Sequence, residues 1–352
     1  MLAVGTSTGQ VCLWRVADRI PLWAVQGHTG VVSGVALSEG ADGHLVASAG
    51  EDGMVRLWEA GTGRPLAMLP GHTGAVWGVA LSADGKFVAS GGGDGTVRLW
   101  DTSTGRPLET LHGHTGTVFG VALSADDQLL VSGGTDGTVR LWETAFAEGD
   151  RGDVDTEPPL REGQRTLDVG GSPAAPPSGW RPRATLQGHT GAVGGLALSA
   201  DGHLLASGSG DGTVRLWETR TGRPLATLHG HIGGIWRVVL STDGQLVASG
   251  GEDGTVRLWE TRTERPLASL QGHTGAIYGV ALSADGHLLA SVAEDGTVRL
   301  WETRTERPVA TLYGLTGGVW SVALSANGQL LASGGADGAV RLWESRDRKS
   351  VV

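Results

Sequence analysis

Histidine, serine and aspartate recur together in this 352-residue chain in sets that invite a reading as acyl-transfer chemistry. His72, Ser90 and Asp94 are the residue types of a general base, a nucleophile and the carboxylate that orients the base, with Trp100 six residues beyond the aspartate. The set returns as His114, Ser132, Asp136 and Trp142, and again as His189, Ser207, Asp211 and Trp217. Two further copies are His231, Ser249, Asp253 and Trp259, then His273, Ser291, Asp295 and Trp301. A reaction needs its groups once, whereas a device of the fold is needed in each copy of a unit. Repetition therefore favours a buried, satisfied polar network over catalysis, and no catalytic residue is assigned. Phosphate-loop chemistry fails on context, because runs such as Gly91-Gly92-Gly93-Asp94-Gly95 lead into a strand and neither Lys86 nor Lys349 stands in GxxxxGK[ST]. His112 with His114 and His229 with His231 are the close histidine pairs, and one member of each already belongs to a repeated set, so no metal site and no cofactor are expected. The lone Cys12 excludes an internal disulfide or a cysteine-based zinc site. Arg98, Arg140, Arg215, Arg257 and Arg299 come one per unit, which suits stacking or pairing between units better than a single phosphate patch.

What positions these residues is a tandem repeat. Gly-His recurs at His28, His72, His114, His189, His231 and His273, with Leu315 in the histidine's place in a seventh copy, at spacings of 44, 42, 75, 42, 42 and 42. The long spacing is one period plus 33 inserted residues. Asp-Gly and Leu-Trp landmarks follow in each unit, from Asp52 and Trp58 to Asp337 and Trp343. Segments such as AVWGVALS, KFVASGGG, TVRLWDT and RPLETLHG are short, rich in β-branched residues and bounded by turn residues, which predicts four strands per unit and no helix. One four-stranded sheet cannot bury both its faces, but sheets packed face to face in a closed ring can. The predicted class is all-β, a β-propeller of four-stranded antiparallel blades with seven complete units over residues 27–344 and an N-terminal partial blade over 1–26.

The GH, DG and LW landmarks at a 42-residue period resemble the WD-repeat (WD40) family over essentially the whole chain outside the insertion. The name-giving Trp-Asp is present only at Trp100-Asp101, and the other six units read Trp-Glu. The resemblance implies that each His, Ser, Asp and Trp set is a hydrogen-bonded structural tetrad. Near-identical repeats, arginine in large excess over lysine and termini inside repeats are also similar to the C-terminal sensor propellers of bacterial multidomain signalling NTPases, which implies a signalling NTPase segment outside this chain. Residues 1–26 align with the second, third and fourth strands of a unit, with Val4 and Thr8 replacing the usual Ser and Asp, and residues 345–352 form a short tail. Two closures are open. Eight blades, two of them incomplete, are favoured over seven, because seven would displace residues 1–15 and expose Leu13 and Trp14. The insertion at about residues 145–181 carries five prolines and mixed charge, which predicts a flexible loop between the third and fourth strands of its unit.

With 27 basic against 37 acidic residues, neither nucleic acid nor an anionic membrane is expected as a partner. No apolar run approaches a membrane span, and the start MLAVGTSTGQ lacks a basic leader segment, so a cytoplasmic protein is expected. Five residues after each histidine position stand Ser33, Trp77, Phe119, Gly194, Trp236, Tyr278 and Trp320, five aromatics of seven in a chain with 5% aromatic residues. Glu51, Glu252 and Glu294 precede the repeated Asp at the same face. Such a cluster suits docking of a protein or peptide on the top face of a non-catalytic scaffold. Two alternatives stay open: the aromatics are packed between blades, or the propeller is a hydrolase or lyase with its active site at the channel rim.

Overall fold

Asp-Gly turns and β-branched segments produce thirty strands in the computed structural model, which describes residues 2–15, 20–38, 45–144, 179–313, 317–325, 328–337 and 340–344. They form eight antiparallel sheets arranged as the blades of a propeller, and no helix occurs among the described residues. Blade 1 has three strands, Leu2–Gly5, Gln10–Arg15 and Ile20–Gln26. Blades 2 to 7 have four each, and blade 8 has Val319–Leu324, Leu330–Gly335 and Val340–Glu344. The eight-bladed closure is the one formed. Leu2–Gly5 packs on the inner strand of blade 2 (Val32–Leu37) and on the two inner strands of blade 8. Val4 is 1% exposed and reaches Gly334 so closely that a Cβ there would lie 2.7 Å from its Cγ1.

Two irregularities repeat around the ring, and both have sequence causes. The third and fourth strands slip register beside the tryptophan, where Trp100 faces Pro107, Trp217 faces Pro224 and Trp259 faces Pro266. Proline lacks the N–H of a ladder and is tolerated because this strand is the outer edge, which it also guards against further pairing. The first and second strands carry a bulge one residue into the inner strand: Val118 pairs with Gly134 and Gly120 with Gly133, leaving Phe119 as the extra residue. The same slip falls at Ser33, Trp77, Gly194, Trp236, Tyr278 and Trp320.

The core lies between blades. Val97, Leu99 and Leu111 of blade 3 pack with Val118, Leu130 and Trp142 of blade 4, and the pattern repeats with Trp217, Trp259, Trp301 and Trp343 each buried against the preceding blade. The insertion falls between two strands that pair directly, since Thr144 faces Trp180. Its expected end at residue 181 is corrected to before Trp180, which opens the strand Trp180–Leu186 and is 6% exposed with its ring centroid 5.9 Å from that of Phe87. Residues 145–178, the tail 345–352 and Leu315 lie outside the described residues.

Candidate functional site

The repeated polar sets come together as continuous hydrogen-bond chains. Histidine Nδ1 lies 2.9 to 3.0 Å from the aspartate in His72–Asp94, His114–Asp136, His189–Asp211, His231–Asp253 and His273–Asp295. Nε2 lies 2.8 Å from Oγ of Ser90, Ser132, Ser207, Ser249 and Ser291 respectively. The indole N–H of Trp142, Trp217 and Trp301 donates to that serine at 2.8 to 2.9 Å, while Trp100 and Trp259 set their rings edge-on to the imidazole at 5.9 and 6.0 Å. One assignment satisfies each atom: indole N–H to serine oxygen, serine O–H to Nε2, and Nδ1–H to carboxylate. A further set, His28, Ser48, Asp52 and Trp58, has the same connections at 2.8 to 2.9 Å. Its serine was not singled out in the sequence because the histidine-to-serine interval is 20 residues there instead of 18.

The order of these bonds is that of a serine nucleophile with its base and orienter, but the surroundings differ. Ser48, Ser90, Ser132, Ser207, Ser249 and Ser291 are 0% exposed, so no substrate can reach their oxygens. Burial is the largest influence on all six histidines and draws their pKa below 6.5, against the opposing pull of the aspartates. Burial alone would raise the Asp94 carboxyl, but donors from His72, Thr96 and the Thr73 N–H together outweigh it and hold it at about 2. The equivalent donors hold Asp136, Asp211 and Asp253 at about 2 as well.

The arginines beside these sets explain the glycine before His114, His189, His231 and His273. Arg140 Nη2 donates to the Gly113 carbonyl at 2.6 Å, and a Cβ on Gly113 would lie 2.5 Å from its Nη1. Gly188, Gly230 and Gly272 meet Arg215, Arg257 and Arg299 in the same way. The guanidinium thus lies on the linker that enters its own blade, not across a sheet face.

The bulged residues assemble elsewhere. Ser33, Trp77, Phe119, Gly194, Trp236, Tyr278 and Trp320 all line one cavity of about 460 Å³ at the centre of the ring. Trp77 and Phe119 meet edge to face at 5.6 Å, Phe119 and Trp236 at 6.3 Å, and Tyr278 stacks on Trp320 at 4.3 Å. Phe119 of blade 4 reaches Trp236 of blade 6 because blade 5 offers only Gly194, where a Cβ would lie 2.9 Å from the Trp236 ring. Four of the rings are half-buried, Trp320 is 45% exposed, and none belongs to an inter-blade core cluster among the described residues. The rings thus pack on one another across blades along the channel wall and outside the inter-blade core clusters, because a bulge places two successive residues of the inner strand toward the channel.

Glu51, Glu252 and Glu294 are exposed at this mouth. Glu252 accepts the Trp236 indole N–H at 3.0 Å and the Gly234 N–H at 2.9 Å, which fixes that ring, and Glu51 accepts the Val31 N–H at 3.4 Å. Burial first, then the charges of Glu294 and Glu252, raise the Tyr278 hydroxyl pKa, so the acidic rim is felt inside the mouth. No group of three or more His, Cys, Asp or Glu suited to a metal ion occurs among the described residues. Sequence reading did not single out Arg237, which lines the same cavity beside Trp236.

Relatives support this frame in pieces. Rice ribosome biogenesis protein BOP1 homolog is 53% identical over 38 residues, 11% of this chain and 6% of that protein. Protein Mut11 of Chlamydomonas reinhardtii is 42% identical over 72 residues, 20% of this chain and 19% of its own. The small ribosomal subunit protein RACK1z of Arabidopsis thaliana is 54% identical over 41 residues, 12% of each chain. The matched part thus spans at most about a fifth of these relatives. The crystal structure of the computationally designed Ika8 protein superposes with a TM-score of 0.75 at 29% identity, covering 97% of this chain and 92% of that one. The family profile described as "WD domain, G-beta repeat" matches residues 19–59, 63–101, 105–143, 180–218, 222–260, 264–302 and 306–344, most of the chain, and the protein belongs to the WD40 repeat family.

Proposed function

We propose that this propeller is an interaction scaffold that docks a protein or peptide on its top face, the face of the Gly-His loops and Asp-Gly turns, at the aromatic mouth of the channel. The observation that carries the reading is the contrast between two positions of one repeat. The tetrads hardly vary from blade to blade, whereas the bulged residue is Ser, Trp, Phe, Gly, Trp, Tyr and Trp in succession. A scaffold position asks for the same residue in every blade; an asymmetric partner asks for a different one. The arrangement of large half-buried rings beside exposed carboxylates suits a few aromatic anchors inside a polar rim. WD40 propellers are generally non-catalytic scaffolds, and the sealed serines give this one no accessible nucleophile in its tetrads. The near-identical repeats, with DGTVRLWET in four units, support a narrower reading as the cytoplasmic sensor of a bacterial signalling NTPase.

Peptides selected on the intact protein from a phage-displayed library test the docking reading. Selected peptides are expected to be displaced by one another and to protect Trp236 and Trp320 from solvent quenchers. Peptides that bind without protecting these indoles would overturn it.

A further inference from the structure

Among the described residues, one cation lines the channel. The residue after the bulge on each inner strand is Gly34, Gly78, Gly120, Gly195, Arg237, Gly279 and Ser321, so the ring of small residues is broken once, in blade 6. Arg237 is the sole charged residue lining the central cavity among the described residues, where its neighbours are valines, glycines, the five aromatics and the hydroxyls of Thr6, Ser7, Ser33 and Ser321. It has no hydrogen-bond or ion-pair partner among the described residues, although the exposed Glu252 is close enough to hold the adjoining Trp236. The side chain is exposed to the open channel, and the protein packed around that channel draws its pKa down from the ordinary arginine value. A guanidinium keeps its charge in such a place and so lacks a counter-charge.

We propose that the channel is a carboxylate-binding site, with Arg237 as the anchoring cation and the aromatic mouth as a collar around the ligand's carbon skeleton. A planar fork of N–H donors matches a carboxylate with two parallel hydrogen bonds, and apolar walls strengthen the pair. The cavity, about 460 Å³, is within the range that holds small molecules. Glu51, Glu252 and Glu294 at the entrance and the net charge of -10 work against polyanions, which selects a single carboxylate on a neutral or cationic remainder over a phosphate dianion. The carboxylate is an acidic side chain of a docked peptide or a free organic acid. The first source rests on the docking reading above; the site itself does not.

Calorimetric titration of the full chain with N-acetyl-glutamate N-methylamide, its glutamine counterpart and butyrate, a free acid with one carboxylate, tests the proposal. At least one of the two acids is expected to bind ~10-fold or more tightly than the glutamine compound, a difference of one charge-assisted pair. Arg237→Gly, which installs the residue found at this point in five other blades, should abolish that preference, and Arg237→Gln serves if the glycine variant melts early. Preference for the capped glutamate assigns the site to peptides; preference for butyrate alone assigns it to free acids. Equal binding of acid and amide, or a preference that survives in both variants, overturns the site. Failure of the docking reading shows separately, as unchanged affinity for a selected peptide when Trp236 and Trp320 are replaced.

Discussion

Histidines 28, 72, 114, 189, 231 and 273 show how a set of catalytic residue types is turned to structural use. Each side chain is 0 to 1% exposed and donates to an aspartate while accepting from a serine that is itself sealed. Removing the carboxylate leaves a buried N–H with no acceptor, so Asp211→Ala should cost roughly 1 to 3 kcal/mol, read as a lower melting temperature in urea or heat. An unchanged melting temperature would contradict the structural role. The same groups set a pH dependence. The histidines are held neutral below their ordinary 6.5, so as pH falls the unfolded chain takes up protons that the folded chain refuses, and stability declines. A second decline follows between 3.8 and about 2, where Asp94, Asp136, Asp211 and Asp253 are protonated in the unfolded chain before they are in the folded one. Melting temperatures measured from pH 7 to pH 3 should therefore fall throughout, and a rise on acidification would refute this assignment of charge.

Strands and turns carry most of what is legible in the sequence. The 42-residue period, the Asp-Gly turns and the Leu-Trp landmarks specify four strands per unit, and the strands run where those landmarks place them. Less legible were the features that depend on register. A bulge leaves no mark on composition, so the sequence shows that Trp77, Phe119, Trp236, Tyr278 and Trp320 vary but not that each is the extra residue of its inner strand, turned into one cavity. Arg237 was missed for the same reason: one arginine after a tryptophan is unremarked until the bulge sets both on the channel wall. Trp180 falls within the span of about 145–181 that prolines and mixed charge mark as the insertion, whereas its pairing with Thr144 and its contact with Phe87 make it part of blade 4. That pairing yields a prediction. Deleting Glu148 to Ser178 keeps both strand ends in register and alters a closure entropy that grows only slowly with length, so the variant should fold with a melting temperature close to the parent's. Loss of folding would show that the insertion supports the ring.

Closure of the ring concentrates risk in one seam. Between blades 8 and 1 the buried cluster among the described residues is Val4 with Ala332, and Val4 lies against Gly334. Gly334→Leu would place a side chain where a Cβ already comes within 2.7 Å of Val4, an overpacking expected to cost about 1 to 3 kcal/mol. Hydrogen exchange should then accelerate first at Val4 and Val32, whose N–H is bonded to the Thr6 carbonyl across the junction of blades 1 and 2; uniform acceleration around the ring would mean that the seam is not the weak point. For the molecule as a whole the central claim is a division of labour, in which repeated residues hold the blades and the varied bulge residues recognise a partner. The most direct measurement titrates one selected, labelled peptide into the parent, the Trp236→Ala, Trp320→Ala double variant and Asp211→Ala, with a melting curve for each. The double variant should bind ~30-fold or more weakly, the equivalent of about 2 kcal/mol of hot-spot loss, while melting near the parent. Asp211→Ala should melt earlier yet bind within ~3-fold of the parent, because distant sites act independently. A double variant that binds like the parent, or one that loses its fold together with its affinity, would contradict the account.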